Sequence, residues 1–188
     1  IGDSNVQFNN VLIRDNYSEN QGGGIFVDNS NPIFENCIID NNYAQMGGAI
    51  SSYESNLTLT RCLISNNYSG LGANIEMRQY SNLYLYNSSC IYNETQQDPN
   101  SQYSASGIYI VNNSSGLINN SIVYFNDNEF PDIEVQNGLI LEINYSDIEL
   151  DLAIDWEGEG NIDADPLFTD PDNGDYTLQS TSPCKDAG

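Results

Sequence analysis

The stretch Pro32-Ile33-Phe34-Glu35-Asn36-Cys37-Ile38-Ile39-Asp40-Asn41-Asn42-Tyr43 returns 25 residues later as Leu57-Thr58-Leu59-Thr60-Arg61-Cys62-Leu63-Ile64-Ser65-Asn66-Asn67-Tyr68. When the chain is aligned on Cys37, the equivalent positions lie 26, 25, 26, 33 and 25 residues apart. They are Val11, Cys37, Cys62, Ser88, Ser121 and Ser146. A repeat of this period is typical of a solenoid, in which each coil packs only on its neighbours.

Apolar residues fill two further columns of the repeat. Three positions before the cysteine stand Phe8, Phe34, Leu59, Leu85, Ile118 and Ile143, and two positions after it stand Ile13, Ile39, Ile64, Cys90, Val123 and Ile148. Apolar residues alternate within each short run, which is the period of a β-strand, and Gly, Asn and Ser bound the runs. The sequence therefore predicts an all-β fold. The predicted fold is a right-handed parallel β-helix over residues 1–150, with three sides and about six coils.

Asparagine recurs five positions after the cysteine column, and these residues form a predicted structural ladder: Asn16, Asn42, Asn67, Asn93 and Asn126. Neighbouring coils of a β-helix lie about 4.8 Å apart. Amides at that spacing can hydrogen-bond along the stack while they satisfy backbone groups of the bend.

Cys37 and Cys62 share one column in successive coils, and two interpretations remain open. The pair can be stacked free thiols, because a free cysteine packs as a small apolar residue. It can instead be a disulfide, although an in-register parallel pair fits disulfide geometry poorly.

The charge of the chain excludes several classes of partner. Four Lys and Arg residues stand against 27 Asp and Glu residues with no His, which gives a net charge of −23. Such a surface repels nucleic acid and anionic lipid headgroups, so we expect neither as a partner. No run of about twenty apolar residues is present, and we therefore expect no direct membrane insertion. The absence of His also removes His-based catalytic triads.

Residues 151–188 are predicted to form a C-terminal cap or tail packed on the end of the solenoid. Leu150, Leu152, Ile154 and Trp156 lie close together where the repeat decays. An open β-helix end exposes unpaired strand edges, so we expect these apolar side chains to cover it.

The tail contains Asp165-Pro166-Leu167-Phe168, Gly174-Asp175-Tyr176, Ser182-Pro183 and Asp186-Ala187-Gly188. In this order the segments resemble the closing stretch of secreted bacterial and archaeal right-handed β-helix repeat proteins of the pectate-lyase-like superfamily. The bend Gly47-Gly48-Ala49-Ile50 resembles the coils of the same superfamily. The resemblance implies a segment of a longer exported protein, located outside the cell or at its surface. Some members of the superfamily cleave polysaccharides, whereas others are adhesins or components of surface layers and appendages.

Five aspartates are dense among the turn residues of the tail and are candidate metal ligands: Asp163, Asp165, Asp170, Asp172 and Asp175. Carboxylates on turns can converge on Ca²⁺. Their spacing does not match an EF-hand loop, and aspartate also favours turns through bonds to its own backbone. Structural Ca²⁺ and plain turn chemistry are therefore both open.

Five tyrosines lie on or near outward columns and form a predicted ligand or partner face: Tyr53, Tyr80, Tyr84, Tyr86 and Tyr109. Aromatic faces stack on sugars or contact other proteins. A polar insertion at residues 95–103 is expected to project as a loop near this face. A tolerated insertion without a role is the alternative.

Five Asn-X-Ser/Thr sequons are candidate glycosylation sites: Asn56, Asn87, Asn112, Asn113 and Asn144. Glycosylation requires an exposed acceptor on an exported chain. Asn16, Asn67 and Asn93 also begin sequons, but they belong to the inward ladder and should be inaccessible.

An enzymatic role is weighed against a structural one. A β-helix glycosidase needs two carboxylates at a defined separation, and Glu76, Asp132 and Glu134 are the candidates. With 27 acidic residues some such pair is expected by chance. The four basic residues fall in different columns, and we expect two of them, Arg14 and Arg78, to form exposed ion pairs with Asp40 and Glu54.

We therefore predict no catalytic residue and no required cofactor, with Ca²⁺ as the metal ion that the sequence suggests. The working hypothesis is a non-enzymatic extracellular β-helix that builds a surface layer, appendage or filament, or that presents an adhesive face. Its partners would be other copies of itself, other surface proteins, or a polysaccharide. The alternative is a module that binds or cleaves a polysaccharide.

Overall fold

A computed structural model describes residues 1–96, 105–126, 130–149 and 158–185 of the chain. Within these ranges the chain winds into a parallel β-solenoid of about five turns. Each strand of a coil pairs in parallel, and in register, with the equivalent strand of the next coil. The helical structure of the described residues is one short 3₁₀ turn at Pro171–Asn173. The all-β parallel β-helix predicted from the repeat is confirmed.

Four sheets form the faces of the solenoid, and we name them A to D. Sheet A contains β1 (Gln7–Asn9), β4 (Ile33–Glu35), β8 (Asn56–Thr60), β12 (Asn82–Tyr86), β16 (Ser115–Asn119) and β19 (Ile140–Asn144). Sheet B contains β2 (Leu12–Arg14), β5 (Ile38–Asp40), β9 (Leu63–Ser65), β13 (Ser89–Ile91), β17 (Ile122–Tyr124) and β20 (Asp147–Ile148). Sheet C contains β3 (Ile25–Asp28), β7 (Ile50–Tyr53), β11 (Ile75–Arg78), β15 (Ile108–Val111) and β18 (Ile133–Gln136). Sheet D contains β6 (Tyr43–Ala44), β10 (Tyr68–Ser69) and β14 (Glu94–Thr95).

The apolar columns of the repeat form one continuous core. Phe34 pairs in register with Phe8 on one side and Leu59 on the other, and the Phe8 and Phe34 rings stack 4.6 Å apart. Ile39 and Ile64 form the equivalent column of sheet B and are fully buried. Because identical columns lie over one another, each coil buries its apolar side chains against the coils above and below.

Left-handed corner residues turn the chain between the sheets. The corner between sheets A and B has φ between 49° and 56° at Asn10, Asn36, Arg61, Asn87, Asn120 and Tyr145. Asparagine tolerates this backbone region better than most residues because its short side chain can bond locally. The high Asn content of the chain therefore has a local cause as well as a stacking cause.

The asparagine ladder runs through the interior at the bend after sheet B. The Nδ2 atom of each amide donates to Oδ1 of the next, from Asn16 to Asn42 at 2.8 Å and from Asn42 to Asn67 at 2.9 Å. The series continues from Asn67 to Asn93 at 3.0 Å and from Asn93 to Asn126 at 2.9 Å. Each Oδ1 also accepts the backbone N–H of the asparagine one coil earlier. The amides therefore close the bend as well as joining the coils.

Two serine ladders join neighbouring coils at other corners, and they were not predicted from the sequence. In one, the backbone N–H of each serine donates to Oγ of the next, through Ser4, Ser30, Ser55, Ser81 and Ser114. The other follows the cysteine column from Cys62 through Ser88, Ser121 and Ser146 and ends on Asn161 Oδ1. The signal was present, since these serines recur with the period of the repeat.

Sheet D is a fourth face of the solenoid, which the prediction of a three-sided β-helix did not include. The residues that follow Asn42, Asn67 and Asn93 are extended long enough to pair, so Tyr68 is in register with Tyr43 and Glu94. The rings of Tyr17, Tyr43 and Tyr68 stack at 5.1 and 5.5 Å. Each strand of sheet D has only two residues, which is too short for an alternating apolar pattern to be recognised in the sequence.

All four cysteines are free thiols, which selects the first of the two interpretations. Cys37 and Cys62 are buried, and burial is the main reason that the pKa of Cys62 rises to about 11. Burial raises the pKa of Cys90 further. A protonated, buried thiol packs as a small apolar side chain and is chemically inert.

One of the two expected ion pairs is present and the other is wrong. Arg14 Nη2 lies 3.4 Å from Asp40 Oδ2 of the next coil, as expected. Arg78 Nη2 instead lies 2.6 Å from Glu76 Oε1 on its own strand. Residues two apart on a strand share one face, so Glu76 competes with Glu54 for Arg78 and is the nearer partner.

The tail folds against the side of the solenoid. Residues 158–163 add a partial coil, in which Ile162 bridges to Asp147. An antiparallel hairpin follows, formed by β21 (Phe168–Asp170) and β22 (Asp175–Leu178). The predicted boundary at residue 150, and the predicted capping by Leu150, Leu152, Ile154 and Trp156, lie outside the described residues. So does most of the predicted loop at residues 95–103. Within the described ranges, no helix is long and apolar enough to cross a bilayer.

Candidate functional site

The outer face of sheet C carries an ion pair between a buried carboxyl group and an arginine, close to Tyr109 of the predicted tyrosine face. On β11, Ile75 and Met77 point into the core, so Glu76 and Arg78 lie on the opposite face. Glu76 is nevertheless completely buried. A carboxyl group on the outer face of a solenoid should be solvated, and its burial marks the position as unusual.

The carboxyl group of Glu76 is held between two partners. Its Oε1 atom forms the ion pair with Arg78, and its Oε2 atom lies 3.5 Å from the Ser51 hydroxyl of the neighbouring strand. Burial raises the pKa of Glu76 because removal from water disfavours the ionised form, and the Arg78 guanidinium opposes this shift. Buried ionisable groups with a single charge partner are concentrated at functional sites.

An open cavity of about 320 Å³ lies over this pair. On its far side the Tyr109 hydroxyl donates to Gln136 Oε1 at 2.7 Å. Tyr109 is in register with Glu76, and Val111 with Gln136, so the cavity spans β11, β15 and β18. Its lining residues are Leu71, Gly72, Glu76, Arg78, Tyr109, Val111, Asn112, Gln136 and Asn137.

A second carboxyl group belongs to the same outward column. Glu134 is in register with Tyr109, which is in register with Glu76. The backbones of Glu76 and Glu134 are thus two strand spacings apart, about 9 to 10 Å. Asp132, the third carboxyl considered from the sequence, is buried immediately before β18, where the Ser106 hydroxyl donates to it at 3.4 Å. Asp132 belongs to the corner and does not line the cavity.

The family model described as a right handed beta helix region matches residues 1–150. The chain belongs to this family. Neither the search of the curated proteins nor the search of the solved structures found a match. Right-handed β-helices include both enzymes and non-enzymes, so membership establishes the fold and leaves the activity to be argued from the site.

The five tyrosines proposed as a partner face are divided in this β-helix between two sheets. Tyr53 and Tyr109 lie on sheet C, where Tyr53 is exposed and Tyr109 is buried in the cavity wall. Tyr84 and Tyr86 lie half-buried on sheet A. Tyr80 is an exposed corner residue between these two sheets, with φ of 63°. Of the five, only Tyr109 lines the cavity. Tyr53 lies in the column of Arg78 but one coil earlier, and the other three lie on sheet A or at the corner.

The sequence pointed to this region but missed Arg78 and Gln136 as members of the site. Arg78 was assigned to Glu54, although its position two residues after Glu76 places both on one face. Gln136 carries no signal by itself. It joins the site because β15 and β18 are in register, which places its amide beside Tyr109.

The candidate glycosylation sites of this β-helix differ in exposure. Asn56, Asn87 and Asn113 are exposed, whereas Asn112 and Asn144 are half-buried. Asn67 and Asn93 are buried as expected, but the expectation that Asn16 is inaccessible is wrong, because this ladder residue of the first coil is exposed. Glycosylation itself stays a prediction.

The aspartates of the tail do not converge. Asp163 accepts from the Tyr124 hydroxyl at 3.2 Å, Asp165 from the Leu167 amide at 2.9 Å, and Asp170 from the Asn173 amide at 2.9 Å. Asp175 accepts from the Thr177 hydroxyl and then from the Thr177 backbone amide, and both bonds lower the pKa of Asp175. Asp172 is an exposed residue of the 3₁₀ turn. In the parts of the chain that the structure describes, no group of three or more acidic or cysteine side chains could hold a metal ion. Ca²⁺ binding stays a prediction from the sequence.

Proposed function

We propose that this β-helix is a non-catalytic, extracellular adhesive module that binds a neutral polysaccharide on the outer face of sheet C. The observation that carries the proposal is the cavity in which the Glu76–Arg78 and Tyr109–Gln136 pairs meet. A cell-surface layer or appendage is the setting in which a rigid, acidic solenoid of this kind would present such a face.

The chemistry of the cavity suits sugar hydroxyls. Each hydroxyl both donates and accepts, and the cavity offers a carboxylate, a guanidinium and an amide within three adjacent strands. Leu71 and Val111 supply apolar surface beside these groups. Ligand sites commonly combine an apolar lining with a few convergent polar groups.

The charge of the protein selects a neutral chain over an anionic one. The net charge is −23, and Arg78 is already paired with Glu76. A polyuronate or sulfated polysaccharide would therefore meet long-range repulsion and no unpaired cation at Arg78. A neutral polysaccharide meets neither obstacle.

Replacing Gln136 with alanine should weaken binding to immobilised neutral glucans, mannans or galactans by about tenfold, which is the loss of one or two hydrogen bonds to the ligand. The measurement is surface plasmon resonance against each polysaccharide. Asp28→Ala is the matched control, because Asp28 lies in the outward column of Arg78 and Gln136 but in the first coil. Equal affinities of the Gln136 and Asp28 variants, or no binding by the wild-type protein, would contradict the proposal.

A second candidate function is hydrolysis of the bound polysaccharide, favoured by the two carboxyl groups of Glu76 and Glu134. A raised pKa suits Glu76 to the role of general acid, and Glu134 lies two strands away in the same outward column. The test is the release of reducing ends from the same polysaccharides. Release that Glu76→Gln abolishes would make the site catalytic and the non-catalytic proposal wrong.

A further inference from the structure

A second cavity, of about 250 Å³, lies between the outer face of sheet B and the C-terminal hairpin. Its floor includes Ser89 and Ile122, which are in register on β13 and β17. Asp147 continues the same column on β20. Tyr176 and Leu178 of β22 form the opposite wall. The cavity is a cleft with one wall on the solenoid and one on the tail, and it shares no residue with the site on sheet C.

The tail wall is fixed by specific contacts with the solenoid. The Tyr176 ring stacks on Tyr92 at 5.6 Å, and the Asn66 amide donates to the Tyr176 hydroxyl at 3.1 Å. Phe168 is buried against the same aromatic group, with its ring 5.8 Å from that of Tyr176. At the other end of the tail, the Cys184 thiol donates to Asp147 Oδ2 at 2.8 Å. A cleft held at both ends is formed before any ligand arrives.

One rim of the cleft pairs a hydrogen-bond donor with an acceptor. Asn87 and Asn120 occupy the corner column in successive coils, and the Nδ2 atom of Asn120 donates to Asn87 Oδ1 at 2.6 Å. Both residues are exposed. This bond leaves the side-chain N–H groups of Asn87 and the Oδ1 atom of Asn120 facing solvent, about 4.8 Å apart along the stack. A donor beside an acceptor matches two neighbouring hydroxyls of a sugar ring.

The remaining surfaces of the cleft match the body of a sugar ring. Tyr145 and Tyr176 provide aromatic surface, and Ile122 and Leu178 provide aliphatic surface for C–H groups. The carboxyl group of Asp147 lies in the floor, with Asp163 and Asp165 close enough to raise its pKa after the larger effect of burial. These carboxyl groups oppose an anionic ligand such as a phosphate or a uronate.

We propose that this cleft binds one neutral pyranose unit of a polysaccharide. Asn87 and Asn120 bond to adjacent hydroxyls, and the ring lies against Tyr145, Ile122 and the tail. The site does not depend on the cavity of sheet C, and it gives the tail a role in ligand binding as the second wall.

The test uses the double variant Asn87→Gly/Asn120→Gly. Glycine accepts the left-handed backbone of both positions without strain, so the amides are removed and the corner is kept. The matched control is Asn10→Gly/Asn36→Gly, which changes the same corner column in the first two coils, with φ of 56° and 53°. The probes are neutral hexasaccharides of gluco, manno and galacto configuration, and the measurement is isothermal titration calorimetry with up to about 10 mM ligand.

We expect at least one hexasaccharide to bind the wild-type protein and the control alike, and the double variant to bind it at least about tenfold more weakly. If the double variant still binds the hexasaccharide but Gln136→Ala does not, the proposal that the cleft binds the sugar is wrong and the proposed function is supported. Loss in the double variant with full binding by Gln136→Ala would support the cleft and contradict the site on sheet C. No binding of any hexasaccharide, or binding of an uncharged peptide of similar length in its place, would overturn the inference.

Discussion

Replacing Asn67 with alanine should lower the free energy of unfolding by about 3–5 kcal/mol. The side-chain oxygen of Asn67, Oδ1, accepts hydrogen bonds from both the backbone amide and the side-chain amide of Asn42, at 3.0 and 2.9 Å. Its Nδ2 atom donates to Asn93 Oδ1 and to the carbonyl oxygens of Ile39 and Ser65. Alanine removes all five bonds in the fully buried interior. The Asn42 amide is then left without this acceptor, and a buried unpaired group costs about 1–3 kcal/mol.

The free energy of unfolding of the Asn67 variant is measured by urea unfolding followed by circular dichroism, and the control is Asn16→Ala, measured in the same way. Asn16 belongs to the same ladder and donates to Asn42 Oδ1 at 2.8 Å, but its side chain is exposed. Water can replace the missing bond, so the loss should be at most about 1 kcal/mol. Similar losses in the two variants would show that burial does not set the contribution of the ladder.

Replacing Gly48 with alanine should destabilise the protein by about 3–5 kcal/mol, for a steric reason. A Cβ atom at this position would lie 2.6 Å from the Tyr68 carbonyl carbon and closer still to its oxygen. Because Tyr68 belongs to the next coil, the clash is with backbone that is fixed by β10. Relief requires the two coils to separate, which disturbs every column they share. The measurement is the melting temperature by calorimetry.

Gly72→Ala is the matched control for Gly48→Ala. The nearest atom to a Cβ at Gly72 is Glu76 Oε1, at 3.5 Å, which is ordinary contact. Removing glycine at an unstrained position also restricts the unfolded chain. The Gly72 variant should therefore unfold within a few degrees of the wild-type protein. A comparable drop in melting temperature in both variants would contradict the steric account.

The two proposed sites give the function a common physical basis. The cavity on sheet C is built on three strands of the solenoid, and the cleft is built on sheet B and the tail. Both lie on stacked coils whose strands are paired in register, so each site is formed before a ligand binds and little ordering of the protein is needed.

Much of the candidate site could be predicted from the sequence, because each residue lies in register with the equivalent residue of the next coil. The column that joins Glu76, Tyr109 and Glu134 follows from counting residues along the repeat. Two facts did not follow from counting. The burial of Glu76 depends on what lies over an outward face, and the choice of Arg78 between Glu54 and Glu76 depends on side-chain geometry.

The fold was determined by the sequence itself. A repeat of about 25 residues with apolar alternation allows one stacking register, since a shift by one residue would turn every buried side chain outward. The asparagine column followed for the same reason, because identical residues in stacked coils must meet. In a solenoid the residues that repeat along the sequence are also the residues that contact one another in space. For this reason the strands and their register could be predicted from the repeat.

Only the tertiary structure decided where the tail goes and what it encloses. Tyr176 bonds to Asn66, 110 residues earlier in the chain, and Cys184 bonds to Asp147 on β20. Such contacts join a non-repeating segment to a repeating one, so no period connects the partners. The cleft forms only when the tail packs on the solenoid, and its shape depends on the surfaces of both. For that reason the sequence determined the solenoid, and the folded structure determined the site beneath its tail.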